Sequence, residues 1–148
     1  MIQCLEYHLD THDFTSYEPD FDMIKYRPME QSTWKDQFNS ELDHAEAARA
    51  YGNEGKARVC ARRAVGIVIG EYMRREQIFY PNASAYDRIK FLISLESLTP
   101  EIRGVLEHFL LRIDTDHNLP IDADLIGEAK WLSETLLHTA SVTDRADD

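Results

Sequence analysis

AEAARAYGNEGKARVCARRAVGIVIGEYMRREQ, residues 45–77, decides the fold. In its longer part Ala57, Cys60, Ala61, Ala64, Ile67, Val68 and Tyr72 recur every three or four residues. At 100° per residue this spacing gathers them on one side of a helix. The small residues Ala57, Ala61, Ala64, Gly66 and Gly70 let another helix approach closely, although both glycines cost helix propensity. Such a face needs partners. The expected fold is therefore all-α, an antiparallel bundle of four or five helices.

Working outward, Ser32 or Thr33 can cap a first helix, with Asp36 at the third position if Thr33 is the cap. Trp34, Phe38, Leu42 and Ala45 form its apolar side. Gly52, Asn53 and Gly55 then predict a break, and a tight turn there makes the first two helices antiparallel neighbours. After Pro81, Ser84 can cap a third helix carrying Tyr86, Ile89, Leu92, Ile93 and Leu95. Thr99-Pro100-Glu101 is a strong start for a fourth, since proline at the first helical position lacks only an amide hydrogen that would be unused. Its pattern of Ile102, Val105, Leu106, Phe109, Leu110 and Ile113 predicts a helix reaching residue 113. Asp122 or Asp124 can start the last helix, with Leu125, Ile126, Ala129, Leu132, Leu136 and Leu137 inward and Trp131 at the edge of that face.

The bundle is expected over residues 32–140. Residues 1–31 read as an irregular, elaborated N-terminal arm in which Tyr7, Phe14, Tyr17, Phe21 and Tyr26 are interspersed with acids, and Pro19 and Pro28 limit regular structure. Residues 141–148 read as a flexible acidic tail. The chain's 148 residues suit one core without covalent staples.

The net charge of −11 argues against a surface coated throughout for nucleic acid or anionic membrane. The positive charges nevertheless concentrate in the organising stretch, at Arg49, Lys56, Arg58, Arg62, Arg63, Arg74 and Arg75. That basic face either binds phosphates or pairs with acidic segments of the same chain. Cys4 and Cys60 show no disulfide framework or zinc-ligand spacing, and Cys60 reads as a small buried apolar residue. His8, His12 and Asp13 are close in sequence, but nothing nearby completes a ligand set. No structural metal and no cofactor are expected. The longest apolar run is too short to span a bilayer and the start does not resemble a signal peptide, so the expectation is a cytoplasmic protein without membrane attachment.

The clearest polar constellation is RIDTDHNLP, residues 112–120. Arg112 can hold a phosphate oxygen, His117 can exchange a proton, Asn118 can contact a phosphate, and Asp114 or Asp116 can orient the histidine. The structural alternative is that Arg112 bridges helices and His117 caps a helix end. Arg103 and His108 repeat the same separation within the fourth helix, about 140° apart around its axis, and read as packing or salt-bridge residues.

The order of helices, the alanine-rich second helix, the apolar third helix, and an arginine-plus-histidine stretch followed by proline and a further helix resemble HEPN-like domains over residues 32–137. The resemblance implies a metal-independent ribonuclease site at Arg112 and His117, commonly built across a dimer interface. Arg58, Arg62 and Arg63 would then supply a phosphate-binding groove. Ile113 stands where the family's nucleases carry a polar residue after the arginine. That departure points instead to HEPN relatives that lack a nuclease site and bind nucleotides or partner proteins. The leading expectation is thus a non-catalytic interaction or regulatory module that self-associates or binds a protein. RNA cleavage by Arg112 and His117, and nucleotide binding, are the alternatives.

Overall fold

The computed structural model describes residues 32–113, 115, 116 and 119–139, the last by its backbone alone. The arm at 1–31 with Cys4, the tail at 141–148, and Asp114, His117 and Asn118 lie outside the described residues. Five helices form an all-α bundle: α1 (Trp34–Ala50), α2 (Glu54–Arg75), α3 (Ala85–Ile93), α4 (Pro100–His108) and α5 (Leu125–Thr139), with no strand among the described residues.

Local chemistry sets most of the helix starts. Thr33 accepts from the Asp36 backbone amide while the Asp36 carboxylate accepts from the Thr33 amide, a reciprocal box that satisfies two donors lacking intrahelical partners. Asn53, Ser84 and Thr99 each accept in the same way from the residue three positions on, and Pro100 opens α4. The Asp124 carbonyl accepts from Glu128 at the start of α5. Between α1 and α2 only residues 51–53 intervene, and Gly52 adopts φ +75°, a left-handed conformation that carries no side-chain penalty for glycine. Gly55, expected in this break, lies within the first turn of α2, because Asn53 already caps that helix.

The centre of the bundle is α2, which packs against α1 most extensively and then against α5 and α3. Its inward face buries Cys60, Ala61, Ala64, Val65, Val68, Ile69 and Met73 against Phe38 and Leu42 of α1, Ile89 and Leu92 of α3, and Leu132 and Leu136 of α5. Small residues are required at one crossing in particular. A Cβ at Gly66 would lie 2.5 Å from the Ala85 Cβ at the start of α3, well inside any real contact.

The fourth helix is shorter than its apolar pattern predicts. It ends at His108, not near residue 113, and Phe109 is its C-terminal cap. The amides of Phe109, Leu110 and Leu111 bond to carbonyls three residues back, tightening the chain out of the α-helix. The Phe109 carbonyl, which a longer helix would use internally, accepts instead from Arg62 Nε at 2.8 Å. Phe109 itself remains fully buried, so its side chain anchors the turn in the core. Arg112 and Ile113 therefore lie beyond the helix and are exposed.

Two ion clusters tie the elements together. Arg49 at the end of α1 bonds Glu54 of α2 at 3.1 Å and Asp124, just before α5, at 2.9 Å. The Arg49 guanidinium, with backbone hydrogen bonds from the first turn of α5, holds the Asp124 carboxyl below the usual carboxylate range. At the other end of α2, the buried Glu71 accepts from Arg74 and Arg75, and Arg75 also reaches the Leu137 carbonyl of α5 at 3.2 Å.

Candidate functional site

Residues one, three and four positions apart point in predictable directions on a helix, and this sorts the arginines of α2. Gly55, Arg58, Val59 and Arg62 follow the spacing of a single helix face. They line one wall of a cleft of about 460 Å³, a size suited to a small ligand or an anchoring group of a larger one. Arg63, about 100° further round the helix, lies instead at a separate pocket beside Glu41 and Arg88. The basic groove expected from Arg58, Arg62 and Arg63 thus contains the first two, while the third faces another part of the surface.

The opposite wall is made by the end of α4 and the unwound segment after it. His108, Leu110, Leu111, Arg112 and Ile113 line it, and Tyr86 of α3 and Leu125 of α5 join the lining. Of the candidate pair Arg112 and His117, the cleft holds Arg112. His117, Asn118 and Asp114 fall outside the described residues, and Asp116 is exposed. Three guanidinium groups, from Arg58, Arg62 and Arg112, share this one concavity.

Its chemistry is both cationic and apolar. Val59, Tyr86 and Ile113 are 44%, 42% and 44% exposed, three of the six large apolar side chains left that open among the described residues. All three line the cleft. Leu110, Leu111 and Leu125 provide further apolar lining. Arg58 also borders a second pocket containing Glu54 and Asp122, so that flank carries carboxylates as well. Arg62 is held by its Nε bond to the Phe109 carbonyl, which fixes the guanidinium and the turn leading to Arg112 together.

His108 adds a proton-exchanging group. Its Nδ1 lies 2.8 Å from Glu128 Oε1 of α5, while the other carboxylate oxygen of Glu128 is buried without a hydrogen-bond partner. The helical spacing assigns His108 a packing or salt-bridge role, and the Glu128 contact has that character; the structure also places His108 in the same cleft as Arg112. No sequence spacing marks Glu128 or Tyr86 as a site residue, since the relevant proximity is tertiary: Glu128 is 20 residues from its histidine. Arg103, by contrast, donates to the carbonyls of Ile93 and Leu95 at the end of α3, away from the cleft wall.

Cys60 offers no nucleophile here. It is buried, and burial pushes its thiol up, away from the reactive thiolate. Among the described residues there is no group of three or more histidine, cysteine, aspartate or glutamate side chains arranged to hold a metal ion. Also among those residues, no helix is long and apolar enough to cross a membrane. The arrangement can bind an oxyanion through guanidinium donors and bury an adjoining apolar group against the leucines, Val59 and Tyr86. Comparison with known family models, curated proteins and solved structures finds no match to this chain.

Proposed function

We propose that this chain is a non-catalytic interaction or regulatory module of HEPN-like type, and that the cleft between α2, α3 and the segment after α4 is its recognition site. The observation that carries this reading is the coincidence of exposed apolar side chains, Val59, Tyr86 and Ile113, with Arg58, Arg62 and Arg112 around one concavity. Water solvates cations well and exposed apolar groups poorly. A ligand that covers both must bring acidic groups next to apolar ones. An acidic protein segment bearing aromatic side chains has that chemistry, and self-association is one form its recognition can take.

Residues 13–22, DFTSYEPDFD, have this composition, with four carboxylates and three aromatic rings. An acetylated and amidated peptide of that sequence is a suitable probe. The test is calorimetric titration of the full chain with the peptide, beside Arg112→Ala. Saturable binding that weakens with salt and falls in the variant is expected. Absence of binding, or equal binding by both proteins, refutes the assignment of the cleft.

RNA or nucleotide binding is the second reading. It is favoured by one observation, that His108 lines the cleft with Arg112, so a proton-exchanging group and phosphate-binding groups are neighbours. Metal-free cleavage of a mixed-sequence RNA, lost in Arg112→Ala and in His117→Ala, would establish the nuclease form of that reading. Binding of RNA without cleavage, and in preference to the peptide, would establish the non-catalytic form.

A further inference from the structure

We propose that His108 contacts the anionic group of the cleft's ligand through Nε2 and takes up a proton as it does so, making recognition stronger in mildly acidic solution. This inference rests on the cleft being the recognition site. It starts from the donor and acceptor requirements of two side chains. An ionised carboxylate only accepts hydrogen bonds. With Nδ1 at 2.8 Å from Glu128 Oε1, the imidazole must therefore carry its proton on Nδ1. In the neutral ring this leaves Nε2 with a lone pair. An incoming oxyanion also presents lone pairs and gains no hydrogen bond there. Only the imidazolium donates to Glu128 and to the ligand at once, so at a pH where the free ring is neutral the bridged complex contains one more proton than the separated components.

The ligand's own charge acts in the same direction. Arg58 and Arg62 on α2 and Arg112 after α4 line the cleft with His108, Glu54 and Asp122 border Arg58 on its other flank, Glu128 of α5 holds Nδ1, and Tyr86 of α3 contributes a neutral phenol. An anion in contact with Nε2 favours the imidazolium over the neutral ring. By linkage, a ligand that raises the proton affinity of a group is itself bound more tightly when that group is protonated.

The experiment uses the full chain and the blocked DFTSYEPDFD peptide, whose carboxylates stay ionised between about pH 6 and about pH 8 and which contains no histidine. The expected result is an affinity that falls about fivefold or more from pH 6 to pH 8. The binding heat near neutrality should also vary with the ionisation enthalpy of the buffer, in the direction of proton uptake. Glu128→Gln separates this mechanism from a structural role. The glutamine amide can donate to Nδ1, which lets a neutral ring carry its proton on Nε2, so that variant should bind at the higher pH with the dependence flattened. His108→Phe should lose the gain at low pH. Equal affinity at the two pH values, a buffer-independent heat, or an unchanged slope in Glu128→Gln overturns the proton-linked contact while leaving the recognition site standing. No binding at either pH overturns the recognition site itself. The buffer test needs only the wild-type chain, so a variant that fails to fold does not protect the proposal.

Discussion

Replacing Glu71 by glutamine tests how a buried carboxylate stabilises the bundle. Glu71 is 8% exposed in the last turns of α2. It accepts from Arg74 through Nε and Nη2, both at 2.8 Å, and from Arg75 Nε at 2.8 Å. Arg75 then continues to the Leu137 carbonyl, and its guanidinium lies 5.8 Å from the centre of the Trp34 ring. The Arg74 hydrogen bonds, opposed by burial and reinforced by Arg75, lower the carboxyl from 4.5 to about 2. Taken whole, that displacement corresponds to about 3 kcal/mol of preference for the ionised form in the folded state. The Arg74 side chain is 72% exposed and solvent screens its share, so about 1–2 kcal/mol is the expected net contribution. The sign follows from the depressed value. The stabilisation is complete above the unfolded carboxyl's 4.5 and is lost as pH falls from there toward 2. Urea denaturation followed by far-UV circular dichroism should show Glu71→Gln less stable than wild type by about 1–2 kcal/mol near neutrality. The difference should shrink through the acid range. A variant as stable as wild type at neutral pH, or a difference that stays constant down to about pH 3, would refute the ion-cluster account.

Three further perturbations probe the packing and the cleft. Gly66→Val drives a side chain into Ala85, where even a Cβ would sit at 2.5 Å, and should cost about 2 kcal/mol or more by denaturation. Phe109→Ala empties a fully buried site at the turn that ends α4, and a loss of about 3–5 kcal/mol is expected in the same assay. Arg112→Ala should weaken binding of the acidic aromatic peptide by roughly tenfold, the loss of one charge-assisted contact, whereas Arg63→Ala should leave affinity unchanged because Arg63 faces a different pocket; calorimetric titration distinguishes the two.

Helix starts were legible because their chemistry is local. Thr33, Ser84 and Thr99 each meet a backbone amide three residues ahead, so the cap and its partner lie within one short window of sequence. The inward face of α2 is legible in part through its spacing: Ala57, Cys60, Ala61, Ala64 and Val68 are buried as expected, Ile67 and Tyr72 are half-buried, and Val65, Ile69 and Met73 complete the face. The end of α4 was not. Phe109, Leu110 and Ile113 continue an apolar pattern past His108, and what stops the helix includes a bond from Arg62, 47 residues earlier in the chain. The candidate site was legible in part. Arg58, Arg62 and Arg112 stand out in the sequence as cations, but only the fold brings the α2 pair beside Arg112. The contact between His108 and Glu128 joins the end of α4 to another helix, and no periodicity signals it.

The early end of α4 and the charge in the cleft are physically linked through Arg62. An α-helix continuing to residue 113 would use the Phe109 carbonyl for its own ladder, at Ile113, so that Arg62 would share its acceptor. Unwinding instead gives Arg62 a fixed partner and carries Arg112 and Ile113 to the rim. The choice of partner matters electrostatically. Arg49, Arg74 and Arg75 each meet a carboxylate, so their pairings offset charge as well as satisfy donors. Arg62 meets a neutral carbonyl, and that bond satisfies a donor while its positive charge persists. In a chain whose net charge is −11, a cation held in this way beside exposed Val59, Tyr86 and Ile113 has more to gain from an external anion than one already matched by an internal acid. The same turn that shortens the helix therefore adds a positive charge, Arg112, and apolar area, Ile113, to the α2 and α3 side chains of the proposed recognition surface.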